Sequence, residues 1–166
     1  YVPLGGVVIS AAIAATFEQR AFPGGLTYSG HPLACASAVA SIRIFEEEGI
    51  LENVRKVSDT VLAPRLAEIA AKHPSVGEVR GLGFFWGLEL VRNPETREPL
   101  VPFNASGAAA GPMNEFAAAC KAEGLWPFVH FNRTHVVPPC TTTAEEMTEG
   151  LDILDRALEV ADRFTA

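Results

Sequence analysis

Residues 24–32, Gly-Gly-Leu-Thr-Tyr-Ser-Gly-His-Pro, set two glycines, a run of hydroxyls and a third glycine directly ahead of a proline. Pro32 suits the first position of a helix, because its φ is already helical and its missing N–H is an orphan there. Helix N-termini present unpaired N–H groups and the positive end of the dipole, which favours anions such as phosphate. Thr27 and Ser29 would add hydroxyl donors. Taken alone, the turn reads as a helix cap. The three lysines, Lys56, Lys72 and Lys121, each sit on a charged helical face, where a solvated lysine belongs. A Schiff-base lysine needs a pKa lowered by burial or a neighbouring cation, and none has that setting. No Ser/His/Asp or Cys/His hydrolase signature is present. Gly81-Leu82-Gly83 lacks the spacing and context of a dinucleotide loop.

Other polar groups leave alternatives open. His31 adjoins the turn and reads as a hydrogen-bonded structural histidine rather than a proton shuttle. Arg80 suits either an anion contact or an ion pair. His130 falls on a strand, where alternation leaves its facing undecided. Cys35, Cys120 and Cys140 are widely spaced and odd in number. That argues against a disulfide framework or a zinc site and for a reducing compartment, the cytoplasm.

The elements that must position these groups follow from patterning. Residues 4–10, LGGVVIS, read as a buried parallel strand, and a chain opening on such a strand implies sequence ahead of it. Residues 11–17 form a short helix. Residues 32–48 form a helix, largely buried, with small residues for close packing and Gly49 as its stop. Residues 50–73 form a second helix that Pro64 should kink or split. Residues 76–91 hold two strands, and residues 93–111 are loop-like. A helix over 112–123 ends at Gly124. Strands at 125–131 and 134–137 flank a turn at Asn132-Arg133. Thr143 and Glu146 predict a capping box for a last helix, on which Met147, Leu151, Leu154, Leu158 and Ala161 form an apolar stripe. The order β–β–α–β–β–α implies a compact α/β unit.

Composition excludes several function classes. The chain has 166 residues, 48% of them hydrophobic, and a net charge of −7. That is a globular composition with a sizeable core. The negative charge and the absence of a basic cluster argue against nucleic acid or an anionic membrane as partner. No apolar run is long enough to span a bilayer.

TYSGHPLACA, preceded by YVPLGGVVIS and followed by an alanine-rich helix ending in EEEG, resembles the class III aminotransferases. VRGLGFFWGLEL and HVVPP follow in the same order as in that family, and the resemblance covers essentially the whole chain. It implies an α/β chain, the C-terminal part of a fold type I enzyme that uses pyridoxal 5'-phosphate. Residues 1–48 would be the C-terminal part of the cofactor-binding large domain. Residues 49–166 would be the linking helix and the small C-terminal α/β domain.

The family match gives individual residues their roles. Thr27 matches the threonine that reaches across a homodimer to the cofactor phosphate of the other subunit. Leu26 stands where the family commonly has an aromatic residue, and backbone contacts to the phosphate are expected there. Arg80 matches an arginine usual in the VRGLG motif. The place that many relatives give to a substrate-carboxylate arginine, ahead of Pro138, falls here at Phe128. His130 is a further substrate-facing candidate. The family's Schiff-base lysine lies ahead of the segment matching Tyr1, so the isolated chain is expected to be inactive. The implied reaction moves an amino group from an amine or ω-amino acid, in the manner of taurine or β-alanine transaminases, to pyruvate or 2-oxoglutarate. The alternatives are a non-catalytic dimerisation or regulatory module or remnant, and another fold type I enzyme such as a mutase or decarboxylase.

Overall fold

The computed structural model describes residues 2–25 and 27–166, which fall into two compact units divided between Gly49 and Ile50.

In the first unit, α1 spans Ala11–Ala15, and the Ser10 hydroxyl accepts from the Ile13 N–H at 3.3 Å as its N-cap. α2 spans Pro32–Glu47, with Pro32 in its first turn. Two expectations fail here. Residues 4–10 form no strand, and Val7 and Val8 are 86% and 101% exposed. A buried parallel strand needs hydrogen-bonding neighbours on both edges, and no described segment supplies them. α2 is also not largely buried: Ala34 is its buried residue, while Leu33, Val39, Ile42, Ile44 and Phe45 are exposed. Their apolar pattern lacks a covering surface within this unit.

In the second unit, the predicted helix over 50–73 is split as Pro64 requires. α3 spans Ile50–Val57, a wide π turn covers Ser58–Leu62, and α4 resumes over Ala63–Lys72. Proline cannot donate to the ladder and crowds the carbonyl four residues back. The π turn absorbs this: the Ala63 N–H reaches back to the Ser58 carbonyl, and Pro64 lies in the first turn of α4, where no N–H is needed.

An antiparallel sheet follows, built from β1 (Val76–Leu82), β2 (Phe85–Asn93), the short β3 (Glu98–Pro99), β4 (Phe128–His130) and β5 (Arg133–Val136). Its order is β1-β2-β5-β4, with β3 also on β2. A two-residue turn joins β1 to β2, and Gly83 takes its positive φ of 56°. α5 (Gly111–Ala122) and α6 (Ala144–Asp162) complete the unit. The predicted capping box is present: the Thr143 hydroxyl accepts from the Glu146 N–H at 3.2 Å, and the Glu146 carboxylate accepts from the Thr143 N–H at 2.9 Å. The predicted stripe on α6 is buried throughout.

The sheet has an inner and an outer face. Leu88, Leu90, Trp86 and Val136 pack with Leu66, Phe116 and the α6 stripe in one core. Each fully buried Leu or Phe contributes about 1.5–3 kcal/mol relative to exposure. The alternate residues Arg80, Phe85, Gly87, Glu89, Phe128, His130, Arg133 and His135 lie on the outer face.

The predicted turn at Asn132-Arg133 is shifted by one residue. Phe131 carries the positive φ of 54°, and Arg133 lies within β5. Asn132 is held to β2 by the Leu90 N–H, which donates to its carbonyl at 2.7 Å, and by its own amide, which donates to the Leu90 carbonyl at 3.1 Å. The turn therefore falls at Phe131–Asn132, and the next residue joins the ladder.

Candidate functional site

In residues 2–49 the candidate site is the turn ahead of α2. Thr27 is exposed, and Tyr28 and Gly30 follow with φ of 64° and 71°. The Gly5 N–H donates to the Tyr28 carbonyl at 2.8 Å, tying the turn to the segment around residue 5. His31 is the N-cap of α2, and its Nδ1 accepts from the Leu33 N–H at 3.2 Å. That makes His31 a structural histidine, as its neighbourhood implied. Pro32 has no N–H and the Leu33 N–H is taken by His31, so two of the helix's first-turn donors are withdrawn from any anion. The side chain of Thr27 makes no hydrogen bond to another described residue. Leu26, the other cofactor-binding candidate, lies outside the described residues.

In residues 50–166 the outer face of the sheet gathers Arg80, Phe128 and His130. The Arg80 guanidinium donates to Glu78 Oε1 at 2.7 Å and to Glu89 Oε1 at 2.6 Å. Arg97 also donates to Glu78, at 2.7 Å. These hydrogen bonds lower the Glu78 pKa and raise that of Arg80. All of these groups are solvated, and such pairs add little stability. Phe128 is exposed and stacks on His135 with ring centroids 5.2 Å apart and an interplanar angle of 16°. The His130 ring lies 3.9 Å from that of Phe131, and the Arg133 Nη2 is 3.5 Å from His130 Nδ1. Burial lowers the His135 pKa, and the nearby Arg133 and His130 lower it further. A groove of about 310 Å³ between these strands is lined by Arg80, Phe85, Gly87, Glu89, Arg133 and His135. A larger one, about 610 Å³, runs between β4, β5 and α6 beside Trp126, Val137 and Leu151.

Lys72 donates to Asp155 at 2.7 Å, Lys121 lies 4.2 Å over the Trp126 ring, and Lys56 is exposed. None is buried. The Cys120 thiol is buried, and burial pushes its pKa up to about 11.

Sequence reasoning missed a buried polar cluster at the end of α4. His73 is 2% exposed, and its Nε2 and Nδ1 each lie 2.6 Å from a carboxylate oxygen, of Asp155 and Asp162 respectively. Arg65 and Lys72 also donate to Asp155, both at 2.7 Å, and the Ser75 hydroxyl donates to Asp162 at 2.6 Å. Asp155 and Asp162 stand seven residues apart on α6, on one helical face beside the apolar stripe, and that spacing was the available signal.

The family model for aminotransferase class-III matches residues 2–158. Gamma-aminobutyrate transaminase 1, mitochondrial, of Oryza sativa subsp. indica is 31% identical over 174 aligned residues, covering 100% of this chain and 32% of that protein. The putrescine–pyruvate aminotransferase of Pseudomonas aeruginosa is 48% identical over 99 residues, covering 59% of this chain and 22% of that protein. A solved taurine:2-oxoglutarate aminotransferase of Bifidobacterium kashiwanohense, in complex with PLP and glutamate, superposes with a TM-score of 0.81 at 34% identity. It covers 93% of this chain and 34% of that one. The chain thus spans about a third of the length of these full-chain relatives. Its structural neighbours are fold type I pyridoxal-phosphate transaminases. Because the match runs through the Thr27 turn, both strands of the VRGLG hairpin and most of α6, this chain belongs to the class III aminotransferase family.

Proposed function

We propose that this chain is the C-terminal portion of a pyridoxal-phosphate-dependent aminotransferase. The whole enzyme would move an amino group from an amine or ω-amino acid to pyruvate or 2-oxoglutarate. The observation that carries this reading is the family match over residues 2–158, together with relatives whose names specify amino transfer. In this reading residues 1–48 close the large, cofactor-binding domain, and residues 49–166 form the linking helix and small domain. The enzyme is a homodimer with the cofactor site shared between subunits. The free cysteines support a reducing compartment, the cytoplasm. Among the described residues no helix is long and apolar enough to cross a membrane.

The turn at Thr27 fits the phosphate end of the cofactor. It offers an exposed hydroxyl and a backbone curled by positive φ at Tyr28 and Gly30. Pyridoxal phosphate, when bound, supplies an electron sink for the carbon that carries the amino group. This chain's own part would be to hold the cofactor, the Thr27 hydroxyl donating to a phosphate oxygen. No lysine here has the burial that Schiff-base chemistry requires.

The test is a pyruvate-dependent turnover assay on the purified 166-residue chain with added pyridoxal phosphate and β-alanine. No turnover is expected. Turnover abolished by substitution of Lys56, Lys72 or Lys121 would overturn the assignment of the lysine to another segment.

A further inference from the structure

His73 is 2% exposed, and both of its ring nitrogens face carboxylate oxygens. Nδ1 lies 2.6 Å from Asp162 Oδ2, and Nε2 lies 2.6 Å from Asp155 Oδ1. A neutral imidazole has one N–H and one bare lone pair. In that form one of the two contacts would set lone pair against lone pair, away from water, at a cost in free energy. Two hydrogen bonds need a hydrogen in each. Charge-assisted N–H···O bonds are also the short ones, about 2.7–2.9 Å, whereas neutral ones centre near roughly 2.9–3.0 Å.

The surroundings favour a cation. Asp155 and Asp162 touch the ring, and Asp152 and Glu68 stand behind Arg65. The other cations of the cluster are Arg65 and Lys72. With His73 neutral, four carboxylates would face two cations. Burial would raise the Asp155 pKa, yet hydrogen bonds from Lys72, His73 and Arg65 lower it to about 2, so that carboxylate carries no hydrogen near neutrality. On Asp162, Oδ1 accepts from the Ser75 N–H at 3.2 Å and from the Ser75 hydroxyl at 2.6 Å, which leaves Oδ2 to His73. A hydrogen between a carboxyl and an imidazole goes to the imidazole, since their ordinary values are about 3.9 and about 6.5.

The ring sits where α4 passes the chain to β1. The Val76 N–H donates to the His73 carbonyl at 3.0 Å, and the Ser75 carbonyl accepts from the Val91 N–H of β2 at 2.7 Å. Asp155 and Asp162 belong to α6. One side chain therefore joins a helix end, the first rungs of the sheet and α6.

We propose that His73 is a buried imidazolium that clasps the α4–β1 junction to α6, and that loss of its second ring hydrogen in alkali unfastens that junction. The bond that breaks is Nδ1–H: hydroxide takes the proton, and the bare Nδ1 then faces the Asp162 carboxylate. A cation favoured by the fold adds stability that is complete below its unfolded value, about 6.5, and is lost as pH rises through the value in the fold.

The test is nitrogen-15 NMR of the imidazoles in the 166-residue chain at pH 7.5, where an ordinary imidazole is about nine-tenths neutral. Both His73 nitrogens should show the N–H signature. Asp162→Asn supplies an isostere that needs no cation: its carbonyl can take the Ser75 donors, and its NH₂ can donate to Nδ1. In that variant His73 should be neutral, with its hydrogen on Nε2 alone. Raising the pH then reads the junction. As the second hydrogen leaves the parent chain, amide exchange at residues 72–76 and 155–162 should accelerate about tenfold or more beyond base catalysis, the loss of one charge-assisted hydrogen bond. Asp162→Asn should show no such step.

A bare ring nitrogen on His73 of the parent chain at pH 7.5 overturns the proposal. So does a doubly protonated His73 in Asp162→Asn, or junction exchange that ignores the departure of the hydrogen. Should Asp162→Asn fail to fold, as judged by circular dichroism, the two readouts on the parent chain decide alone. None of them involves cofactor or turnover, so the aminotransferase reading stands or falls separately.

Discussion

Replacing Asp155 with asparagine tests the buried polar cluster most directly. Burial alone would raise the Asp155 pKa, but hydrogen bonds from Lys72, His73 and Arg65 outweigh it and lower the value from 3.8 to about 2. A carboxylate whose pKa falls on folding stabilises the fold fully above its unfolded value and loses that contribution as pH drops through the folded one. A shift from 3.8 to about 2 corresponds to roughly 2 kcal/mol, present at pH 7, about half lost by pH 3 and almost gone by pH 2. Asparagine keeps the shape but removes the charge from Lys72, Arg65 and His73. Breaking one partner out of a buried pair costs about 3–5 kcal/mol. Arg65 and Lys72 retain 28% and 51% side-chain exposure and can regain water, and His73 keeps Asp162, so the low end, about 3 kcal/mol, is expected. Urea unfolding of the chain and of the variant at pH 7 and pH 3 measures both quantities. The variant should be less stable at pH 7, and its loss on acidification should be smaller by about 1 kcal/mol. Equal stability at pH 7, or an unchanged acid dependence, would refute the argument.

Two further outcomes follow from single residues. Thr27→Ala in the enzyme that carries this segment should weaken cofactor retention by about 1.5–3 kcal/mol, roughly 10- to 150-fold, and leave the melting temperature of the cofactor-free protein unchanged because the Thr27 side chain is exposed in its own unit; an unaltered cofactor affinity by absorbance titration would exclude the role. Native alkylation followed by mass spectrometry should modify exposed Cys140 well before Cys120, whose buried thiol is pushed up to about 11; comparable rates would contradict the burial of the Cys120 side chain, which α5 turns into the core.

What was legible in the sequence was what local chemistry decides. The α6 cap and stripe depend on residues within a few turns of each other, and both stand. So does the effect of Pro64, a backbone argument that needs no tertiary context. The two strands within residues 76–91 were readable from their aromatic and aliphatic runs, but the turn at Gly83 that pairs them was not. The His73 cluster was not, because its partners lie 82 and 89 residues away, and a lone histidine at a helix end carries no mark of them. Arg133 was assigned to the turn between two strand candidates, whereas the hydrogen bonds of Asn132 to Leu90, 42 residues back, draw Arg133 into the sheet. Arg80 drew attention by its motif, but only the positions of Glu78 and Glu89 show that its charge is already spent.

Burial in residues 2–49 failed for a related reason: periodicity tells which side of a segment is apolar and not what covers it. The apolar side chains of α2 and of residues 4–10 are exposed within their own unit, with Ala34 the buried hydrophobic among its described residues, while the second unit holds a continuous core. Exposed apolar surface of this kind marks an interaction surface. It supports the proposal that residues 1–48 belong to a larger domain and a dimer interface. Local opening free energy scales with buried contacts, so the first unit should open at a small fraction of the cost of the second. Brief digestion of the 166-residue chain with trypsin should therefore cut after Arg20 and Arg43 before it cuts after Arg65 or Lys72, where ion pairs and the core hold α4. Mass spectrometry of the early fragments reads the order. Cleavage within α4 as early as at Arg20 would show that the second unit has no independent stability, and the division of the chain near Gly49 would lose its energetic basis.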